Sequence, residues 1–157
     1  MLNDVYNKRI LELAADIPRL GRLAAPQASA TAHSKLCGST VTVDLTLDGS
    51  GRVSDFALDV KACALGQAAS SIVARNVVGT TPAELREIRE TVRRMLKDNG
   101  SPPGEASKWR DVAVLEPVRD YKARHASTLL TFDAVVKALD SIEARSTESC
   151  VGSVASA

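Results

Sequence analysis

Cys37 and Cys63 carry the chemistry that is easiest to read from this chain. A thiolate is a nucleophile and a ligand for soft metals. These two close the outer ends of one strongly patterned stretch, LCGSTVTVDLTLDGSGRVSDFALDVKACALGQAAS, over residues 36–70. Apolar and polar residues alternate on either side of Asp48-Gly49-Ser50-Gly51, the pattern of two half-buried strands joined by a turn. In the first strand Val41, Val43, Leu45 and Leu47 share one face, and Thr40, Thr42, Asp44 and Thr46 share the other, wet one. In the second, Phe56, Leu58 and Val60 face inward. A hairpin centred between Gly49 and Ser50 sets Cys37 and Cys63 within one residue of facing each other. Their Cβ atoms are then roughly 5–8 Å apart if pairing runs that far, and one bulge shifts this by a residue. Spacing alone leaves two readings open: a soft-metal or sulfur-handling site, or two buried core thiols.

The surrounding elements must position this pair. After Cys63 the period changes, and small residues run to Val78 before Gly79, a helix-stop signal. A helix is expected over about 64–78, with Cys63 at its N-terminus. There the unpaired N–H groups and the helix dipole favour the thiolate. Gly38, beside Cys37, allows close approach of backbone or ligand.

Residues 2–16 predict an amphipathic helix with Val5, Tyr6, Ile10 and Leu13 near one face, ended by Pro18 and Gly21. Residues 24–35 suit a loop with a short edge strand at Ala28–Lys35, in which His33 reads as a solvated surface histidine. Thr81-Pro82-Ala83-Glu84 is a helix start, with a capping threonine, proline at the first position and glutamate three after the cap. Leu85, Ile88, Val92 and Met95 make its stripe, and Asn99-Gly100 ends it. Val112, Val114 and Leu115 suggest a turn of helix that Pro117 breaks, and Trp109 reads as a packing residue. A last helix is expected from about Arg124 to Ala144, with Leu129, Phe132, Val135, Val136, Leu139 and Ile142 inward. The small, polar tail 146–157 is expected to be disordered. The fold class is therefore α+β: a small, mainly antiparallel sheet of about three strands with helices on one face.

The 157 residues suit one domain, 1–145, followed by that tail. Only 3% are aromatic, so the core must be built from Ala, Val, Leu and Ile. A net charge of +1 gives no electrostatic reason to expect nucleic acid or an acidic membrane as partner. The apolar runs are far shorter than the roughly 20 residues of a membrane span, and the charged beginning lacks the apolar core of a signal peptide. The expected compartment is the cytoplasm, where thiols stay reduced. There is no phosphate-binding glycine loop, nucleophile elbow or HExxH.

The order of signals resembles the iron–sulfur cluster assembly scaffold family, the NifU N-terminal, IscU and SufU group. The likeness rests on Cys37-Gly38 at a strand start, the hairpin, and Cys63-Ala64 with Ala69-Ser70 opening a small-residue helix. Gly79-Thr-Thr-Pro-Ala-Glu and the stretch Ala126-Ser-Thr-Leu-Leu-Thr-Phe-Asp-Ala134 add to it. The resemblance implies a scaffold rather than an enzyme, a cysteine desulfurase as partner, and a transient Fe–S cluster or iron as cargo, with zinc as another metal. It implies Cys37 and Cys63 as ligands or sulfur acceptors, and the helix N-terminus at Cys63, which favours the thiolate, singles that residue out as the acceptor. The family's aspartate falls on Ser39 and its third cysteine on Ser127. IscU-type members place a histidine just before that cysteine; here Ala126 stands there and His125 one further back. The IscU chaperone-binding stretch is half present in Leu115-Glu-Pro-Val-Arg119. A neutral serine hydroxyl is a hard, poorly acidic donor, so Ser39 and Ser127 replace two charge-bearing ligands by weak ones. One chain would hold metal through Cys37 and Cys63 with His125 or His33.

Cys150 lies too far along the chain to help: about 18 residues of helix is roughly 27 Å, more than the remaining tail spans back. Two chains would supply four thiolates, so a homodimer could hold a bridging cluster. The rival readings are a degenerate paralogue that binds the desulfurase without metal, and a SufU-like sulfur acceptor.

Overall fold

The computed structural model describes residues 7–35 and 38–155, with side chains as far as Arg145. Val5, Tyr6, Cys37 and the side chain of Cys150 lie outside the described residues.

Helix α1, Lys8–Ala15, starts where the Asn7 side chain accepts from the N–H of Ile10 at 2.9 Å, and it buries Ile10 and Leu13 completely. Three strands follow, β1 Ala28–His33, β2 Thr40–Leu47 and β3 Val53–Lys61, in the order β1-β2-β3 and antiparallel throughout. Helix α2, Ala64–Asn76, lies between α1 and the later helices. Helix α3, Pro82–Lys97, begins as its sequence predicts, the Thr81 hydroxyl accepting from the Glu84 N–H at 3.2 Å. A 3-10 helix at Arg110–Asp120 and a second, short one at Lys122–Arg124 lead into α4, His125–Ala155. No described helix is long and apolar enough to cross a membrane.

The core is the predicted face of the sheet, Val41, Val43, Leu45, Phe56 and Leu58, under α2 and α4. Each such side chain contributes about 1.5–3 kcal/mol by leaving water. Trp109 packs, as expected, at 6% exposure.

Five expectations are corrected. The hairpin register pairs Thr40 with Lys61 and Leu45 with Phe56, each partner two residues on from the one that the expected centre gives, with an irregularity between Thr46 and Leu47. The turn itself sets this: Asp48 N–H donates to Arg52 O at 2.8 Å, and the Asp48 carboxylate accepts from the Ser50 N–H and hydroxyl and the Arg52 N–H. A shift of two leaves every side chain on its predicted face. Pro117 does not break the segment at 110–120, because a 3-10 helix bonds i to i+3 and winds around it. Helix α2 ends two residues early, with Val77 as its C-cap. The backbone of α4 continues past Ala144.

The fifth correction concerns Asp44, expected on the wet face but wholly buried. The segment after α1 folds over it. Arg22 donates to both carboxylate oxygens at 2.7 and 3.0 Å, the Leu23 N–H at 2.9 Å and the Ser29 hydroxyl at 2.5 Å. Burial pushes the carboxyl upward, but the bonds from Arg22, Ser29 and Leu23 outweigh it and hold Asp44 below the usual carboxylate range.

A depressed folded-state value means that the stabilisation is complete above the unfolded pKa, about 4, and is lost as pH falls through the folded one. Asp44→Asn, which leaves buried donors mismatched, should cost about 1–3 kcal/mol in urea unfolding at pH 7. The gap to wild type should narrow as pH falls below about 4. An unchanged gap from pH 7 to pH 3 would contradict the assignment.

Candidate sulfur and metal site

Cys63 is the N-cap of α2, in extended conformation (φ −70, ψ 175), with its carbonyl accepting the Gln67 N–H at 2.9 Å. Its side chain caps nothing in the helix, so the free, half-buried thiol points elsewhere. It lies 3.6 Å from the hydroxyl of Ser127, in the first turn of α4. Ser127 is 2% exposed, and its own hydroxyl donates to Arg124 O at 3.1 Å. The thiol therefore donates to Ser127. Once Cys63 is ionised, the Ser127 hydroxyl can rotate from the carbonyl and donate to the sulfur instead.

Two helix starts meet here because Gly66 has no side chain. A Cβ at Gly66 would sit 2.7 Å from the Ala62 Cβ and 3.2 Å from the Ser127 carbonyl oxygen. One turn further on, the Ser70 hydroxyl donates to Gly66 O at 2.8 Å and shares a hydrogen bond of 2.6 Å with Thr131, all buried. Sequence reasoning passed over Gly66 and Thr131. The signal was present in the glycine one turn into a small-residue helix, but its meaning needs the partner helix.

On the strand side, the loop after β1 is closed by Ser34 N–H to Ser39 O and Gly38 N–H to Ser34 O, both at 2.9 Å. Gly38 takes a left-handed φ of +70, which glycine adopts without strain. Ser39 is buried at the entrance to β2. Cys37, between these residues, lies outside the described part.

The histidines are placed differently. His125 is 5% exposed, and its Nε2 lies 3.1 Å from both Val118 O and Arg119 O, so that N–H is given to the 3-10 segment. It lines a cavity with Leu96, Lys97, Asn99, Arg119 and Lys122, not one with Cys63. Metal binding through Nε2 would cost both carbonyl contacts. His33 is exposed at the end of β1, opposite Thr40. The described residues thus bring Cys63 and Ser127 together, and no hydrogen bond among them joins either histidine to that pair. Among the described residues no three His, Cys, Asp or Glu side chains form a metal-holding group.

Comparison with known proteins places the fold. The chain matches the model of the NifU-like N-terminal domain over residues 5–128. The crystal structure of a nitrogen-fixing NifU-like protein (N-terminal) from Brucella abortus shares 60% identity, covers 90% of this chain and 96% of that one, and superposes with a TM-score of 0.87. A Fervidobacterium islandicum AW-1 protein, described as an iron–sulfur cluster assembly scaffold for the SUF system, has the same fold at 19% identity. It covers 87% of this chain and 98% of that one, with a TM-score of 0.78. A hypothetical protein solved at 2.3 Å also shares the fold, at 18% identity, 88% and 98% coverage, and a TM-score of 0.75. No curated protein matches the chain. The chain belongs to the family of NifU-like N-terminal domains.

Proposed function

We propose that this protein is an iron–sulfur cluster assembly scaffold in which Cys63 receives sulfur and, with Cys37, holds iron or a nascent cluster as transient cargo. The observation that carries the reading is the Cys63 thiol at a helix N-terminus, 3.6 Å from the hydroxyl of Ser127. The resemblance sets Ser127 where the family has its third cysteine. A cysteine desulfurase supplies the sulfur. Its persulfide is attacked at the outer sulfur by the Cys63 thiolate, the donor's S–S bond breaks, and the donor cysteine leaves as thiolate. The product is a persulfide on Cys63, with no net oxidation.

The donor set limits how long cargo stays. Cys37 and Cys63 give two soft ligands, and Ser39 and Ser127 give hydroxyls that neither iron nor zinc prefers. A single chain binds metal weakly and releases it readily. Two chains contribute four thiolates, enough to hold a bridging cluster. Residues 1–145 form the scaffold domain, and the protein does no bond-making catalysis beyond accepting sulfur.

A second reading, a sulfur acceptor that passes persulfide on without building a cluster, is favoured by the same contact. A hydroxyl beside the sulfur stabilises a thiolate or persulfide anion by hydrogen bonding but adds little to a metal site.

Metal loading separates these readings. The protein is reconstituted anaerobically with ferrous iron, sulfide and a cysteine desulfurase, then assayed for bound iron, sulfide and zinc and for visible absorption. Wild type should hold sub-stoichiometric metal, above the Cys63→Ala baseline. Ser127→Cys, a near-isosteric change that restores a thiolate, should bind zinc at least about tenfold more tightly, equivalent to 1.4 kcal/mol. If wild type and Ser127→Cys both stay at the Cys63→Ala baseline, the scaffold reading falls and a sulfur acceptor or a metal-free desulfurase-binding module remains.

A further inference from the structure

At the opposite end of α2 from Cys63, about 20 Å away along a helix of this length, lies a polar cavity of about 620 Å³. Its lining includes five cationic side chains, Arg9, Arg19, Arg75, Lys108 and Arg110, and one carboxylate, Asp111. This concentration stands out in a chain whose net charge is only +1.

Three of the cations have partners. Arg9 donates to Asp111 at 2.9 Å, Arg75 to the carbonyl and carboxylate of Asp16 at 2.7 and 3.2 Å, and Lys108 to the Thr80 hydroxyl at 2.6 Å. The side chains of Arg19 and Arg110 have no ion pair or hydrogen bond among the described residues.

Arg19 adds a second, independent observation. Its φ is +62, a region few residues other than glycine enter. Backbone bonds hold it there: Leu58 N–H donates to Arg19 O at 3.1 Å, and Gly21 N–H to Leu58 O at 2.8 Å. Glycine would take this position without strain. Here the chain instead accepts strain and sets a guanidinium at the cavity rim, a pattern that concentrates at ligand sites.

We propose that this cavity binds a compact, multiply charged phosphate compound. The cations converge from four segments on one concavity rather than forming a stripe, which suits several phosphate groups close together. Guanidinium groups match phosphate oxygens in bidentate geometry. The volume falls within the range of small-molecule pockets. An inorganic polyphosphate and the phosphate tail of a nucleotide present this same chemistry.

The test is calorimetric titration of the full chain with tripolyphosphate, ATP and orthophosphate at low and high salt. Emission of the sole tryptophan, Trp109, is a second readout, because the Lys108 ammonium lies 5.8 Å from its ring centroid. Tripolyphosphate should bind one to one, more tightly than orthophosphate, and change Trp109 emission. Equal affinity for ATP and tripolyphosphate would assign the site to the phosphate chain, and tighter ATP binding would assign it to a nucleotide; both support the proposal. Arg19→Gly should weaken binding at least tenfold while the thermal midpoint does not fall, since strain is relieved. Arg110→Gln should also weaken it. Absence of binding, binding only by an acidic peptide such as oligoglutamate, or affinity unchanged in both variants would overturn the proposal.

Discussion

The contact between the first turns of α2 and α4 is the constraint on which the site depends. Gly66 allows it, since any Cβ there would collide with Ala62 and crowd the Ser127 carbonyl. The Ser70–Thr131 hydrogen bond one turn below fixes the two helices in register. With that seam closed, the Cys63 N-cap and Ser127 must share one small space. The rest of the fold supplies what each helix rests on: the apolar face of the sheet below, α1 on one flank and the 3-10 segment on the other. Changing Cys63 or Ser127 alters chemistry, whereas changing Gly66 would separate the two groups and alter the site's existence.

On the proposed reading, in which the resemblance sets Ser39 and Ser127 at the family's aspartate and third-cysteine positions, serine changes what this space can do. A thiolate ligand brings charge and softness, and a hydroxyl brings a rotatable hydrogen bond. Ser127 now gives its proton to Arg124 O and accepts from Cys63, and it can reverse the second role when the sulfur is anionic. That suits sulfur in transit better than metal held for long. His125 does not compensate, because its Nε2 is given to the carbonyls of Val118 and Arg119 and holds the start of α4 on the 3-10 segment.

Much of this was legible in the sequence, for local reasons. Alternation in β2 and β3 fixed which side chains face the core, and the register shift of two did not disturb it. The Thr81-Pro82-Glu84 cap and the change of period at Cys63 placed two helix starts to the residue. What could not be read depends on partners distant in the chain. Asp44 looks solvated until Arg22 and Leu23 cover it. His125 sits near a position that the resemblance makes a ligand, but its ring follows a 3-10 segment that Pro117 seemed to forbid. The cavity at the other end of α2 draws its cations from four separate segments, each unremarkable alone.

Transfer of sulfur to Cys63 tests the central claim most directly. The protein is incubated anaerobically with a cysteine desulfurase and cysteine, alkylated, digested and mapped by mass spectrometry. The account predicts a persulfide adduct on the peptide bearing Cys63, diminished when Ser127 is replaced by alanine. Persulfide confined to Cys37 or Cys150, or none on any cysteine of a folded, desulfurase-treated protein, would contradict it.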